Sequence, residues 1–308
     1  MGCFLSWLLR CAARSDVRMG VARRKICCAF RAGLFLLMAL SSPSASVMAA
    51  DDPYGGTSSR AAREEAIAAL PLERLTAEQR QAVASVLNDV SVYRRMPTCV
   101  LRCDPELYHF TLDNPEILVN IWHLLGLEDI VLERIAPTRF RAEDGVGTLG
   151  TAEVIDRSHD SMLVYGEGSY DGPLFVKPVR GRCLMFLRSR TVRETDGHYY
   201  ITSRLDVFVA LEQAGVELLA KTFGPLMTRV ADYNFTQSMA FVQSLAEAAE
   251  RNPHGVQRLA RRLDGIPSEL REEFGEVAWR VAERAEKRHE RVVRTPDRKS
   301  VDSAAATR

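Results

Sequence analysis

Residues 214–250, AGVELLAKTFGPLMTRVADYNFTQSMAFVQSLAEAAE, constrain the fold more than any other stretch of this chain. Leu226, Val230, Phe235, Met239, Val242, Leu245 and Ala249 recur at three- and four-residue steps, which puts one apolar stripe along a helix. Arg229, Asp232, Gln237, Gln243, Glu247 and Glu250 take much of the opposite side. Gly224-Pro225 interrupts the pattern, because proline lacks an amide donor and clashes with the preceding turn. The expectation is a short helix over 214–222 and a long one from Pro225. The apolar face of the long helix either closes a core or walls a ligand cavity.

The six segments upstream of this helix read as strands: 130–136, 139–143, 148–157, 162–168, 183–190 and 199–210. Asp144-Gly145, His159-Asp160, Asp171-Gly172-Pro173 and Asp196-Gly197 separate neighbours, and such short turns imply antiparallel hairpins. In the last strand Tyr199, Ile201, Leu205, Val207 and Val209 share one face, and Tyr200, Thr202, Arg204 and Asp206 share the other. That alternation predicts one buried face and one wet face. Helices are expected at 61–70, at 76–92 with a Thr76/Gln79 capping box, and from Asn114-Pro115 to Leu125, with Gly126 ending the last. Residues 96–103 read as extended. Beyond the long helix come 256–263 and 268–292, the second carrying a stripe of Leu270, Phe274, Val277, Val281 and Ala285 among Glu/Arg pairs that suit an exposed helix.

The N-terminus carries an export pattern. Arg23-Arg24-Lys25 is a basic n-region, residues 26–40 an apolar h-region, and small residues ending at Ala49 or Ala50 precede Asp51. The h-region is short of the ~20 residues of a membrane span, so no stable transmembrane anchor is expected. Residues 1–18 lie upstream of the n-region, and Met19 reads as an alternative start. The layout is then a signal segment with its extension over 1–50, a linker and N-terminal helices over 51–95, an α+β domain over 96–250, a helical extension over 251–294, and a polar tail over 295–308. A net charge of +1 gives no global field to attract nucleic acid or an anionic membrane.

The order of elements resembles the helix-grip fold of the START and Bet v 1-like superfamily. The resemblance spans residues 96–250 and rests on that order, on the strand Tyr165-Gly166-Glu167-Gly168, and on the passage from Tyr199 into the long helix. It implies an α+β protein in which a curved antiparallel sheet grips a long helix, here with extra helices at both ends. Members of that superfamily bind lipids or sterols or catalyse cyclisations, so the fold does not fix the function.

Several constellations carry less than they suggest. Gly145-Val146-Gly147-Thr148-Leu149-Gly150 matches the dinucleotide fingerprint, but no helix follows it, so it reads as a hairpin. His159, Asp160 and Ser161 are adjacent in a turn and cannot form a hydrolase triad. Cys99, Cys103 and His109 lack the paired spacing and fourth ligand of a zinc site. In a strand, Cys99 and Cys103 would stand ~13 Å apart, beyond disulfide reach of ~7 Å; in a helical turn they would be near enough. Neither a metal nor a cofactor is expected.

The first functional reading is an exported, non-catalytic protein that holds an apolar or amphipathic small molecule between sheet and helix. Trp122, Tyr165, Gly166, Gly168, Leu205, Val207, Phe235 and Met239 are its candidate lining. The alternative is a solid interaction protein whose flanking helices dock a partner of unknown identity. A third, an enzyme, would need an inward acid such as Glu167 or Asp206. N-terminal sequencing of the protein from its native source should begin at Ala50 or Asp51; an intact N-terminus in a cytoplasmic fraction would overturn the export reading.

Overall fold

The computed structural model describes residues 55–172, 178–212 and 216–294, with only the backbone over 216–227 and 291–294. The expected signal segment and the tail from 295 lie outside the described residues. Two helices come first, α1 (Arg60–Ala68) and α2 (Ala77–Leu87). The Ser59 hydroxyl accepts from Ala62 N at the start of α1, and the Thr76/Gln79 capping box forms at α2. Two short strands, β1 (Val92–Arg95) and β2 (Cys99–Arg102), lead into α3 (Pro105–Asp113) and α4 (Pro115–Leu124). Asp104 caps α3. Asn114, expected to cap α4, instead donates from its side chain to Phe110 O, because α3 ends where α4 begins.

A meander of six strands follows: β3 (Val131–Ala136), β4 (Arg139–Glu143), β5 (Thr148–Arg157), β6 (Ser161–Tyr170), β7 (Val179–Arg193) and β8 (Tyr199–Leu211). All pairings are antiparallel, in the order β1-β8-β7-β6-β5-β4-β3. The far edge of β8 is shared end to end, with β1 opposite Asp206 to Val209 and β2 opposite Tyr200 to Ser203. The fingerprint-like glycines form the β4–β5 hairpin, where Asp144 Oδ1 accepts from Val146 N and Thr148 N. Helix α5 (Val216–Arg251) is continuous, and α6 (Pro253–Ala260) and α7 (Ser268–Arg294) close the chain. The break expected at Gly224-Pro225 does not occur. Proline removes one backbone bond, which a 36-residue helix anchored elsewhere by packing survives.

Over β6 to β8 both faces are covered for part of their length, contrary to the one-wet-face expectation for β8, while the face of β3 and β4 turned away from α5 is exposed. On one side Cys183, Leu187, Val207 and Val209 pack against Ala231 and Phe235 of α5. On the other, Leu163, Leu184, Phe186, Phe208 and Ala210 pack against Ala62, Ala66, Val83 and Val86 of α1 and α2. The N-terminal helices reach only one end of β8, so Asp206, Phe208 and Ala210 are buried while Tyr200, Thr202 and Arg204 stay partly exposed. A third core joins α3, α4 and the end of α5 to α6 and α7, through Leu107, Ile121, Leu245, Phe274 and Val281. The stripe of α7, read as suiting an exposed helix, is thus largely taken up within the chain. Arg280 and Arg284 clamp α7 to Glu106 and Asp104 at the start of α3. The result is an α+β molecule with an eight-stranded antiparallel sheet and a long helix, compatible with a helix-grip fold.

Phe235→Ala should cost about 3–5 kcal/mol, since its ring is buried against β7 and β8. Gln237→Ala, on the exposed side of α5, should stay within ~0.5 kcal/mol. Urea unfolding of the two variants checks this, and equal losses would put α5 on the wrong face.

Candidate functional site

The register of the sheet decides which residues face α5. Val207 lies beside Met185, and Leu205 beside Leu187, on the α5 side. Phe235 packs onto this surface, and Met239 bridges it to the helical core. Gly166 pairs with Cys183 and Gly168 with Gly181, which places both on the same side. Tyr165 pairs with Leu184 and joins the opposite core beneath α1 and α2, so it does not belong with this set. Trp122 stands at the rim of the helical core, edge-on to Phe241 with ring centroids 5.9 Å apart.

Over β5 and β6 the α5 side thins to small residues, between Phe140 on β4 and Tyr170 at the end of β6. Ala142, Gly150, Gly168 and Gly181 are register partners across four strands, and Phe140, Ala152, Gly166 and Cys183 form the adjacent row. Crowding explains one member. A Cβ on Gly168 would lie 2.6 Å from Leu149 O and 2.9 Å from Gly150 Cα, so a side chain there would meet backbone before it reached any open space. The near half of the same side, by contrast, is filled by Leu187, Val207, Val209 and Phe235.

Polar groups punctuate this side. Thr148, one row beyond Gly150, is 2% exposed, and its hydroxyl has no hydrogen-bond partner among the described residues. At the other end the Tyr108 hydroxyl lies 2.7 Å from both Ser189 Oγ and Ser203 Oγ, and burial pushes its pKa up. Beside it, Arg157 donates to His109 Nδ1 at 3.2 Å. Arginine only donates, so the neutral His109 ring carries its proton on Nε2, which is buried without an acceptor among the described residues. Burial, then Arg157 and His159, depress the His109 pKa.

The carboxylates considered as inward acids both lie on the face away from α5. Glu167 is exposed, and the Tyr165 hydroxyl donates to it at 3.4 Å. Asp206 is 0% exposed, in a network that sequence reading did not assemble. Its Oδ1 accepts from the Tyr93 hydroxyl at 2.7 Å and Arg95 Nε at 2.8 Å, and its Oδ2 accepts from Arg188 Nη2 at 2.9 Å. Glu65 of α1 completes the network by accepting from Arg188 Nη1 at 2.7 Å and pairing with Arg95. Arg188 holds the Glu65 carboxyl below its ordinary range against the opposing pull of burial. Burial, then the bond to Asp206, push the Tyr93 pKa up. The available clue was Tyr93-Arg94-Arg95, which carries β1's donors on alternate sides.

Cys99, Cys103 and Cys183 are free thiols, and burial raises the pKa of Cys103. Among the described residues, no group of three or more metal-ligating side chains comes together. No helix among them is long and apolar enough to cross a membrane.

No protein-family profile matches the chain, and no curated protein matches it. Among solved structures it is similar to a conserved protein from Geobacillus kaustophilus, at 12% identity over 46% of this chain and 92% of that one, with a TM-score of 0.31. An uncharacterized protein from Rhizobium leguminosarum gives 15% identity over 48% and 98%, with a TM-score of 0.30. Ara h 8.0201, a Bet v 1-like protein, gives 11% identity over 47% and 99%, with a TM-score of 0.24. These likenesses concern the fold alone.

Asp206→Ala should destabilise the protein by about 3–5 kcal/mol, because it strands the Arg95 and Arg188 charges and the Tyr93 hydroxyl beneath α1. Chemical denaturation measures it, and a loss under ~1 kcal/mol would show that the network is dispensable.

Proposed function

We propose that the protein is an exported, non-catalytic binding protein for an apolar or amphipathic small molecule, held on the α5 side of β4 to β7. The observation that carries this reading is the register-aligned band of Ala142, Gly150, Gly168 and Gly181, with Ala152 and Gly166 beside it. A sheet surface without side chains beyond Cβ presents little volume to the element opposite it. The Thr148 hydroxyl at the end of the band, without a partner among the described residues, offers one hydrogen bond to a polar end of such a ligand, which a purely apolar wall would not. Leu205, Val207, Phe235 and Met239 form the filled near end of the same surface, and Gly166 and Gly168 belong to the band of small residues. The interaction-protein reading loses weight because Phe274, Val277 and Val281 of α7 are buried in the chain's own core. The enzyme reading loses weight because Glu167 and Asp206 both face away from α5.

The test is a titration of the purified protein with the apolar fluorophore N-phenyl-1-naphthylamine, paired with thermal melts. The expected result is saturable enhancement and a melting temperature that rises with ligand concentration. Ala152→Phe, a half-buried site in the band, should abolish both while the protein stays folded by circular dichroism. Absence of saturable binding in the unsubstituted protein, or binding unchanged in Ala152→Phe, would overturn the reading. Gly168→Leu is the wrong probe, because its side chain would collide with the β5 backbone.

A further inference from the structure

On the face of the sheet turned away from α5, beside the C-terminal end of α1, three arginines and a threonine occupy a square of neighbouring positions. Arg188 of β7 lies directly opposite Arg204 of β8, and Arg190 directly opposite Thr202. Residues two apart on a strand share a face, so all four project to the same side. They line an open cleft of about 520 Å³ together with Asp160 and Ser161 of the β5–β6 hairpin.

Like charges directly opposed on neighbouring strands repel, and this arrangement needs a counter-anion. The chain supplies only part of one. Asp206 and Glu65 engage Arg188 through Nη2 and Nη1, but Arg188 Nε is buried without an acceptor among the described residues. Arg204 has one ionic neighbour, Glu65, at 4.0 Å, and its side chain is 41% exposed. Arg190 is exposed and has no hydrogen bond or ion pair among the described residues, and the Thr202 hydroxyl likewise makes no hydrogen bond. The one carboxylate lining the cleft, Asp160, accepts from the Ser158 hydroxyl at 2.9 Å. Donors therefore outnumber acceptors at this spot, with two guanidinium groups unspent beside a free hydroxyl. Planar guanidinium forks match the oxygens of a phosphate, which can bridge two of them at once.

We propose that this cleft is a binding site for a phosphate group, whether free or carried by a lipid headgroup, with Arg190 and Arg204 as its principal ligands and Thr202 as a hydroxyl donor. Glu65 is its internal competitor, since its carboxylate already sits against Arg188 and near Arg204. The site is separate from the α5 side of the sheet and stands or falls independently of the apolar ligand.

Calorimetric titration of the purified protein with inorganic phosphate, against chloride at matched ionic strength, tests it. The unsubstituted protein should bind saturably. Arg190→Ala and Arg204→Ala should each weaken binding about tenfold, the usual scale for losing a hydrogen bond to a charged group. Arg60→Ala, whose only described partner is Glu64, should leave it unchanged. Glu65→Gln removes the competitor and should tighten binding, a direction that a merely structural role for Glu65 does not produce. Co-sedimentation with phosphatidylcholine vesicles, with and without phosphatidic acid, separates the two sources. Binding to the phosphatidic acid vesicles that depends on both arginines identifies a headgroup, and phosphate binding without it identifies a free phosphate. If phosphate fails to bind, or binds equally well to Arg190→Ala and Arg204→Ala, the site does not exist.

Discussion

A buried carboxylate in the middle of a strand sets the terms for much of this structure. Asp206 sits in β8 with no exposure to solvent, and a charge so placed is tolerable only when donors surround it. Those donors are three side chains on two strands: Tyr93 and Arg95 on β1, and Arg188 on β7. Glu65 on α1 then holds the two arginines in place from above. One ionic knot thereby fixes the register of β1 against β8, the position of α1 over the sheet, and the boundary between the dry and wet halves of that face. Hydrophobic contacts among Leu163, Leu184, Phe186 and Phe208 supply the bulk of the same layer, but they have no directional preference of their own.

The strands were legible because each is bounded by turn residues with a mechanism. Five of the six expected in the meander start or end within a residue or two of where they lie, and β7 begins earlier, at Val179. Facing was harder to read. In β6, Met162, Val164 and Gly166 turn to α5, while Leu163 and Tyr165 turn to α1 and α2. A sheet buried on both sides gives apolar residues at consecutive positions, so a period of two no longer says which side is which. That is why Tyr165 was assigned to the wrong wall. Of the four residues of β1, Val-Tyr-Arg-Arg, the first falls at the end of the helix expected over 76–92 and the other three are assigned to no element, because two arginines disguise a strand whose charges are paired across the sheet. Helix α3 escaped notice because Tyr108, His109, Phe110 and Thr111 have weak helical preference, and its stability comes from the tertiary core.

The two sides of the sheet carry different chemistry. Facing α5, the surface grades from bulky residues on β8 to small residues at Gly150, Ala152, Gly166 and Gly168 of β5 and β6, with hydroxyls at both ends. Facing the other way, it grades from a dry layer under the N-terminal helices to arginines that meet water. The residues that could hold a ligand were partly readable, since glycines in a strand always ask for a reason. The arginine square was not, because it depends on which residues of β7 and β8 stand opposite each other, and a long hairpin's register is a tertiary property.

The shared edge of β8 has a consequence for the order of events in folding. Residues 60 to 102 furnish α1, α2, β1 and β2, and the strand that β1 and β2 pair with ends only at Leu211. Chain closure over about a hundred residues must precede any of those pairings. The N-terminal layer therefore has no template while it is being made, and waits as unpaired helix and strand until the last strand of the meander is laid down. Topology of this kind folds slowly, from the meander outward, and its beginning is the last part to find its place.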